Sequence, residues 1–269
     1  MRPRYLMESF IPSLLIKLLR VKKGAIVAII AGTKADTVIE ELQKIPEKLR
    51  RKVTEITLDM AGNMELIAKR CFRSAVRVTD RFHVQKLATE ALREMRIKYR
   101  WEALDVENEA IDQARKAKKA FHAEVLSNAD TLKQLLARSR YALYRRPNAW
   151  SPSQKERADL LFAKSPKLKQ AYNLSLNLSS IFEKTTDKLY GLARLAKWHE
   201  AVRQSGFKSF NTISRSIQYH YQTILNYFDS RSTNASAESF NAKIKAFRSQ
   251  FRGVRSTEFF LYRLTQIYA

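Results

Sequence analysis

The sequence predicts a small α/β region up to Asp80 followed by a long, nearly all-helical remainder, so a mostly helical protein overall. Three observations carry this. Six glycines and six prolines in 269 residues leave few places to turn, which favours long helices over a many-stranded sheet. The β-branched runs cluster before Arg81 and alternate with amphipathic segments, the pattern of strands paired in parallel. Beyond Arg81 apolar residues recur at helical spacing, with charge on the other face.

In chain order, Ala25–Ala31 is a continuous apolar run rich in β-branched residues, as expected of a strand buried on both faces. Ala35–Ile45 and Gly62–Phe72 read as amphipathic helices between the shorter strands Val53–Leu58 and Ala75–Thr79. From Phe82 to about Leu126 the apolar residues Leu87, Ala91, Leu92, Met95, Trp101, Leu104 and Ile111 predict one very long helix, broken at most once. Arg145–Pro152 is a connector. Leu160–Glu183, Lys188–Gln204 and Phe210–Phe228 predict three further helices. Asp229–Asn234 is a polar lead-in to a basic helix, Ala235 to about Arg252, and Ser256–Tyr268 supplies a last one.

Composition narrows the partners. Fifty Lys and Arg stand against 26 Asp and Glu, a net charge of +24. Such an excess calls for a polyanion, and nucleic acid is the first choice because neutralised phosphates release condensed counterions. Membrane binders instead concentrate their basic residues on one amphipathic helix or a tail. The single cysteine, Cys71, excludes an internal disulfide framework and points to a reducing compartment. No run approaches the ~18 apolar residues of a membrane-spanning helix. Met1–Lys23 is basic around an apolar stretch, Phe10–Leu19, but no small-residue cleavage site follows it.

Three acids stand where chemistry is expected. Asp59 follows the strand Val53–Leu58, at a carboxyl end where α/β sheets place reactive groups; capping the next helix is the competing role. Asp80 repeats the arrangement after Ala75–Thr79, with His83 one helical turn on. A hydrogen bond fixing a loop is the commoner use of such a pair. Glu238 shares a helix face with Asn241 and Lys245, while Phe240, Ile244 and Phe247 lie on the other. That face suits a metal beside a phosphodiester, and equally a solvated helix with an acid in its first turn; spacing does not choose. His122, His199 and His220 have no ligand-like spacing. Trp101, Trp150 and Trp198 offer rings for stacking on a distorted DNA end, with core packing the more ordinary expectation.

Taken together, Glu55-Ile-Thr-Leu-Asp59-Met-Ala-Gly-Asn63-Met, Val78-Thr-Asp80-Arg-Phe-His83-Val-Gln-Lys86-Leu-Ala and the distant Glu238 segment resemble the ISL3 family of DDE-type insertion-sequence transposases. The likeness runs from about Gly24 to the C-terminus. It implies a ribonuclease-H-like core, here incomplete, interrupted by a large all-helical insertion: core over 24–84, insertion over 85–228, and C-terminal core helices over 229–269. It implies that Asp59 is the second catalytic aspartate and Glu238 the glutamate, both metal ligands, and that Asp80 and His83 match the family's Asp/Cys-x-x-His signature. Two Mg²⁺ ions held by three carboxylates serve the family's in-line displacement at phosphorus. Asn241, Lys243, Lys245, Arg248, Arg252 and Arg255 would hold the backbone of transposon ends and target DNA. A homo-oligomer or an intact transposase is the implied protein partner, and a prokaryotic cytoplasm, at the nucleoid, the implied location.

The resemblance fails at the start. The only aspartate before Asp59 is Asp36, after the strand Ala25–Ala31 at a helix start. The first catalytic aspartate has no counterpart, and a truncated, inactive transposase is expected, or else a non-catalytic DNA-binding remnant that binds transposon DNA or interferes with an intact enzyme. Residues 1–23 are aberrant. Read one base earlier with a preceding G, the codons of Met1–Pro12 permit Asp-Glu-Thr-x-Leu-Ser-x-Gly-Glu-Leu-Tyr-Thr, the family's missing strand, so a frame shift is the expected cause.

Overall fold

The computed structural model describes residue 30, residues 34–250 apart from the side chains of 236–238, 240, 241 and 244, and residues 256, 259, 260, 262, 263 and 266. The expected strand Ala25–Ala31, except Ile30, and the aberrant segment 1–23 lie outside the described residues. The chain divides into two compact units, one of Met1–His83 with Gln222–Ala269, the other of Val84–Tyr221.

The first unit is built on two short parallel strands, β1 (Glu55–Leu58) and β2 (Val76–Thr79), in register from Glu55 opposite Val76 to Leu58 opposite Thr79. They are the only strands among the described residues. Alternation explains β1, because Ile56 and Leu58 are buried while Glu55 and Thr57 are half-buried. The helices α1 (Ala35–Gln43), α2 (Glu47–Arg50) and α3 (Gly62–Cys71) complete the early α/β part. Val38 and Leu42 of α1 and Ile67, Ala68 and Cys71 of α3 close one core with Val53, Ile56, Leu58 and Phe72, and Ile30 packs against it. Arg50 ties α2 to this core, donating from Nε to Ile45 O at 2.9 Å and from Nη1 to Cys71 O at 2.8 Å. Cys71 is buried, and burial pushes its thiol pKa up, as suits a small apolar side chain rather than a nucleophile.

The long helix α4 (Arg81–Lys116) leads into the second unit. Its apolar stripe buries Val84, Ala88, Ala91, Leu92 and Met95 but stops there. Trp101 and Ile111, expected on the same apolar stripe, are exposed. The helix ends ten residues short of Leu126, with Lys118 in the left-handed region at φ 54°. The Ala-Arg-Lys-Ala-Lys-Lys run there offers little to bury, so no packing holds a continuation.

The second unit continues with α5 (Leu132–Arg138), α6 (Pro152–Lys164), α7 (Pro166–Lys184), α8 (Lys188–Ser205) and α9 (Lys208–Tyr219). Two expectations fail here for local reasons. Leu160–Glu183 is two helices, because Pro166 cannot donate and Ser165 before it is driven out of the helical region to φ −133°, ψ 76°. Pro152 belongs to a helix rather than a connector: Ser151 accepts the Gln154 N–H, Gln154 Oε1 accepts the Ser151 N–H, and Pro152 occupies the first helical position. The helix α5 was not expected at all. It is secured by Asp130, whose carboxylate is fully buried and pairs with Arg138 and, at 3.2 Å, with Arg157 of α6. α8 starts at Asp187, whose Oδ1 accepts the N–H groups of Leu189 and Tyr190, and stops at Gly206, which takes φ 68°.

Trp198 is buried on α8 and donates to Leu174 O at 2.8 Å. Trp150 lies against Tyr172 and Phe162 and donates to Ala142 O at 2.7 Å. Trp198 is a core residue, and Trp150 packs half-buried against its aromatic neighbours. The expected helix Phe210–Phe228 is broken at His220 and Asn226 into α9, α10 (Tyr221–Leu225) and α11 (Tyr227–Ser230). After Arg231, at φ 55°, the chain turns into α12 (Ala235–Gln250).

Candidate active site

Parallel pairing brings the ends of β1 and β2 level, since Leu58 and Thr79 are register partners. The residues that follow, Asp59 and Asp80, therefore stand side by side at the carboxyl end of the pair. The Asp80 N–H donates to Leu58 O at 2.8 Å and carries the ladder one step further. Sequence reasoning found both acids, but their surroundings differ.

Asp59 is half-buried, and its Oδ1 accepts the Ala61 N–H at 3.1 Å. That is a turn two residues long rather than a helix cap: Ala61 occupies the cap position of α3 without a side-chain bond. The other carboxylate oxygen has no hydrogen-bond partner among the described residues.

Asp80 is fully buried, and both of its oxygens are taken. Oδ1 accepts the Phe82 N–H at 3.0 Å; Oδ2 accepts the Asn234 N–H at 3.1 Å, across 154 positions of sequence. The Asp80 carbonyl accepts the His83 N–H at 3.1 Å, and the His83 ring is half-buried. Asp80 thus serves as a clasp between the start of α4 and the lead-in to α12. The same end of the unit is stitched twice more, by Thr79 Oγ1 to Thr223 Oγ1 at 2.7 Å and by Asn226 Nδ2 donating to Arg77 O at 2.9 Å. None of these three long-range bonds has a sequence signal, because each joins residues more than 140 positions apart.

Glu238 is in the first turn of α12, so its backbone stands roughly 6 Å along the helix from Asn234. Its side chain and that of Asn241 lie outside the described residues, as do Arg252 and Arg255 entirely. Lys243 and Lys245 are exposed. Arg248 is half-buried with its guanidinium 5.3 Å from the Phe260 ring, which also meets Phe247 at 5.3 Å. Arg248 therefore helps to pack α12 as well as carrying charge.

Among the described residues no three His, Cys, Asp or Glu side chains converge as metal ligands. Of the two strand-end acids, Asp59 keeps one carboxylate oxygen without a hydrogen bond among the described residues, whereas each Asp80 oxygen already accepts a backbone N–H. Of the sequence-expected residues, the fold thus draws Asp59, Asp80 and the first turn of α12 to one end of the strand pair, with Asp80 bonded to two backbone N–H groups.

No helix among the described residues is long and apolar enough to cross a membrane. Neither a curated protein nor a solved structure matches this chain. A family model described as a transposase, that of the ISL3 DDE transposases, matches residues 13–264 and so nearly the whole length, beginning upstream of Gly24. The chain belongs to the ISL3 family of DDE transposases, whose members act on DNA.

Proposed function

We propose that this chain carries most of a ribonuclease-H-like transposase domain for DNA cleavage and strand transfer, interrupted by its helical insertion, and that the 269 residues by themselves do not cut DNA. One observation carries the reading. The Asn234 N–H on Asp80 draws the helix of Glu238 to the strand end that bears Asp59, which is the convergence a carboxylate site requires. The division of the chain near His83 and Tyr221 supports an insertion into a discontinuous core.

In this reading Asp59 and Glu238 are the second and third metal carboxylates, and Mg²⁺ bound between them and a first aspartate would polarise the scissile phosphodiester. The chain's own contribution is to hold the two acids beside each other and to bring cationic side chains, Lys243 and Lys245, to the DNA backbone. Asp36 is a poor substitute for the first acid, because it lies in the first turn of α1 and not directly after a strand. A site with two of three ligands loses two-metal chemistry, and no step through the metal is assigned to this chain.

The test is incubation of the purified chain and Mg²⁺ with duplex carrying the element's terminal repeats. The expected result is DNA binding without nicks; metal-dependent nicking would overturn the inactivity. The net charge of +24 favours a second reading, a DNA-binding remnant that occupies transposon ends or assembles with an intact transposase. It predicts that Asp59→Asn and Glu238→Gln leave DNA affinity unchanged, and that the chain lowers the activity of an intact transposase added to the same DNA.

A further inference from the structure

Some basic residues of the second unit are matched to acids. Lys133 pairs with Glu107 at 2.6 Å, Arg203 with Glu200 at 2.6 Å, Lys98 with Glu102 at 3.8 Å, and Asp130 takes both Arg138 and Arg157. Most have no ion-pair partner among the described residues, and one cluster of basic side chains gathers in a cleft. Lys86, Thr89, Glu90 and Arg93 of α4 line a cleft of about 340 Å³ whose opposite wall is Arg140 and Tyr144. Its one acid, Glu90, faces Lys86 at 3.9 Å. Arg93 and Arg140 are exposed and have no ion-pair partner among the described residues.

Arg96 lies behind this cleft. It is 7% exposed, donates from Nη1 to Leu136 O at 2.7 Å, and keeps a buried Nε without a hydrogen-bond partner. Its charged neighbours are further cations, Arg140, Arg100 and Arg93, with the Tyr144 hydroxyl the one group that favours its charge; burial, first, and those arginines, next, lower its pKa. A cation buried without an anion, among like charges, is an unfavourable arrangement that a bound anion relieves. A guanidinium is a planar fork that can hold a phosphate through two hydrogen bonds, which a lysine cannot, and both Arg93 and Arg140 line this cleft.

We propose that this cleft is a phosphate site for the DNA backbone, formed by Lys86, Arg93 and Arg140 with Arg96 behind it, so that the helical unit grips DNA independently of the carboxylate end. The proposal uses the family's DNA partner but none of the assignments of Asp59 or Glu238. The ligand chemistry is a phosphodiester; free phosphate offers the same oxygens.

The experiment measures binding of a fluorescent duplex by the full chain over about 50–200 mM salt, where each phosphate contact contributes roughly 0.9 to the slope of log affinity against log salt. Arg93→Gln/Arg140→Gln is compared with Lys155→Gln/Lys169→Gln, an equal charge loss at exposed positions on α6 and α7. The cleft variant should lower the slope by about 1–2 and weaken binding roughly tenfold at 0.1 M salt, with the control changing the slope by less than about 0.5. Circular dichroism checks that both variants stay folded. Equal losses in the two variants overturn the proposal, since bulk charge then explains them. Inorganic phosphate that binds through Arg93 and Arg140, while DNA binding follows the control, overturns the assignment to DNA. A parent chain that binds no duplex sinks this site and the transposase reading together, whereas nicking by the parent chain sinks only the inactivity.

Discussion

Replacing Asp80 with alanine removes two hydrogen bonds at once and leaves a part-buried donor behind at each. The Asp80 carboxylate is fully buried and accepts the N–H groups of Phe82 at 3.0 Å and Asn234 at 3.1 Å. A hydrogen bond to a charged group contributes about 1.5–3 kcal/mol, so the pair is worth roughly 3–6 kcal/mol gross. Relief of the buried charge offsets part of this, which leaves a net loss of about 3 kcal/mol. At about 3–4 °C per kcal/mol for a unit of this size, the melting temperature of the first unit should fall by roughly 10 °C. Asp80→Asn keeps one acceptor and turns an amide N–H toward the other donor, so it should fall between parent and alanine variant. Thermal melts followed by circular dichroism give the shift, and amide hydrogen exchange locates it. The Asn234 amide should lose protection first, because the acceptor it donates to is the Asp80 carboxylate, while the amides of β1 keep their ladder partners. A melt within about 2 °C of the parent, or an Asn234 amide that stays protected in the alanine variant, would refute the clasp.

Two further outcomes test the second unit. Asp130→Ala strands Arg157 and Arg138 beside an uncharged pocket and should cost about 3 kcal/mol in denaturant unfolding, whereas an exposed acid such as Asp159 should cost nothing measurable. His199 is half-buried, bonded through Nδ1 to Ser214 Oγ at 2.7 Å, and burial lowers its pKa from the ordinary 6.5. The folded state therefore favours the neutral ring and the unfolded state takes the proton first. The stability this contributes is complete above pH 6.5 and is lost as the pH falls from there through the lower folded value; His199→Gln should flatten that part of the curve in urea melts at stepped pH.

The strand-helix-strand start was readable from residues because its signals are local. β-branched runs of four residues and the amphipathic segment between them need only their neighbours to declare themselves, and β1, α3 and β2 lie within two residues of their expected bounds. Two misreadings were also local and avoidable: Ser165-Pro166 and the Ser151-Pro152-x-Gln154 cap carry their own stop and start signals. The extent of the buried stripe on α4 was not readable, because periodicity says which residues share a face and not whether anything packs on it. Trp101 and Met95 look alike in sequence, yet one is exposed and the other buried.

By itself the sequence determined the family, through linked motifs around Asp59, Asp80 and Glu238, and a charge of +24 that no folding can remove. What only the tertiary structure decided is which of these polar groups remain available. Asp59 and Asp80 occupy equivalent strand-end positions, but one keeps a carboxylate oxygen open while the other is closed by a backbone N–H from 154 residues away. Arg96 is likewise one basic residue among fifty until packing buries it beside other arginines. The physical reason is the same in both cases: charge belongs to the residue, whereas desolvation and hydrogen-bond satisfaction belong to the neighbours that folding supplies.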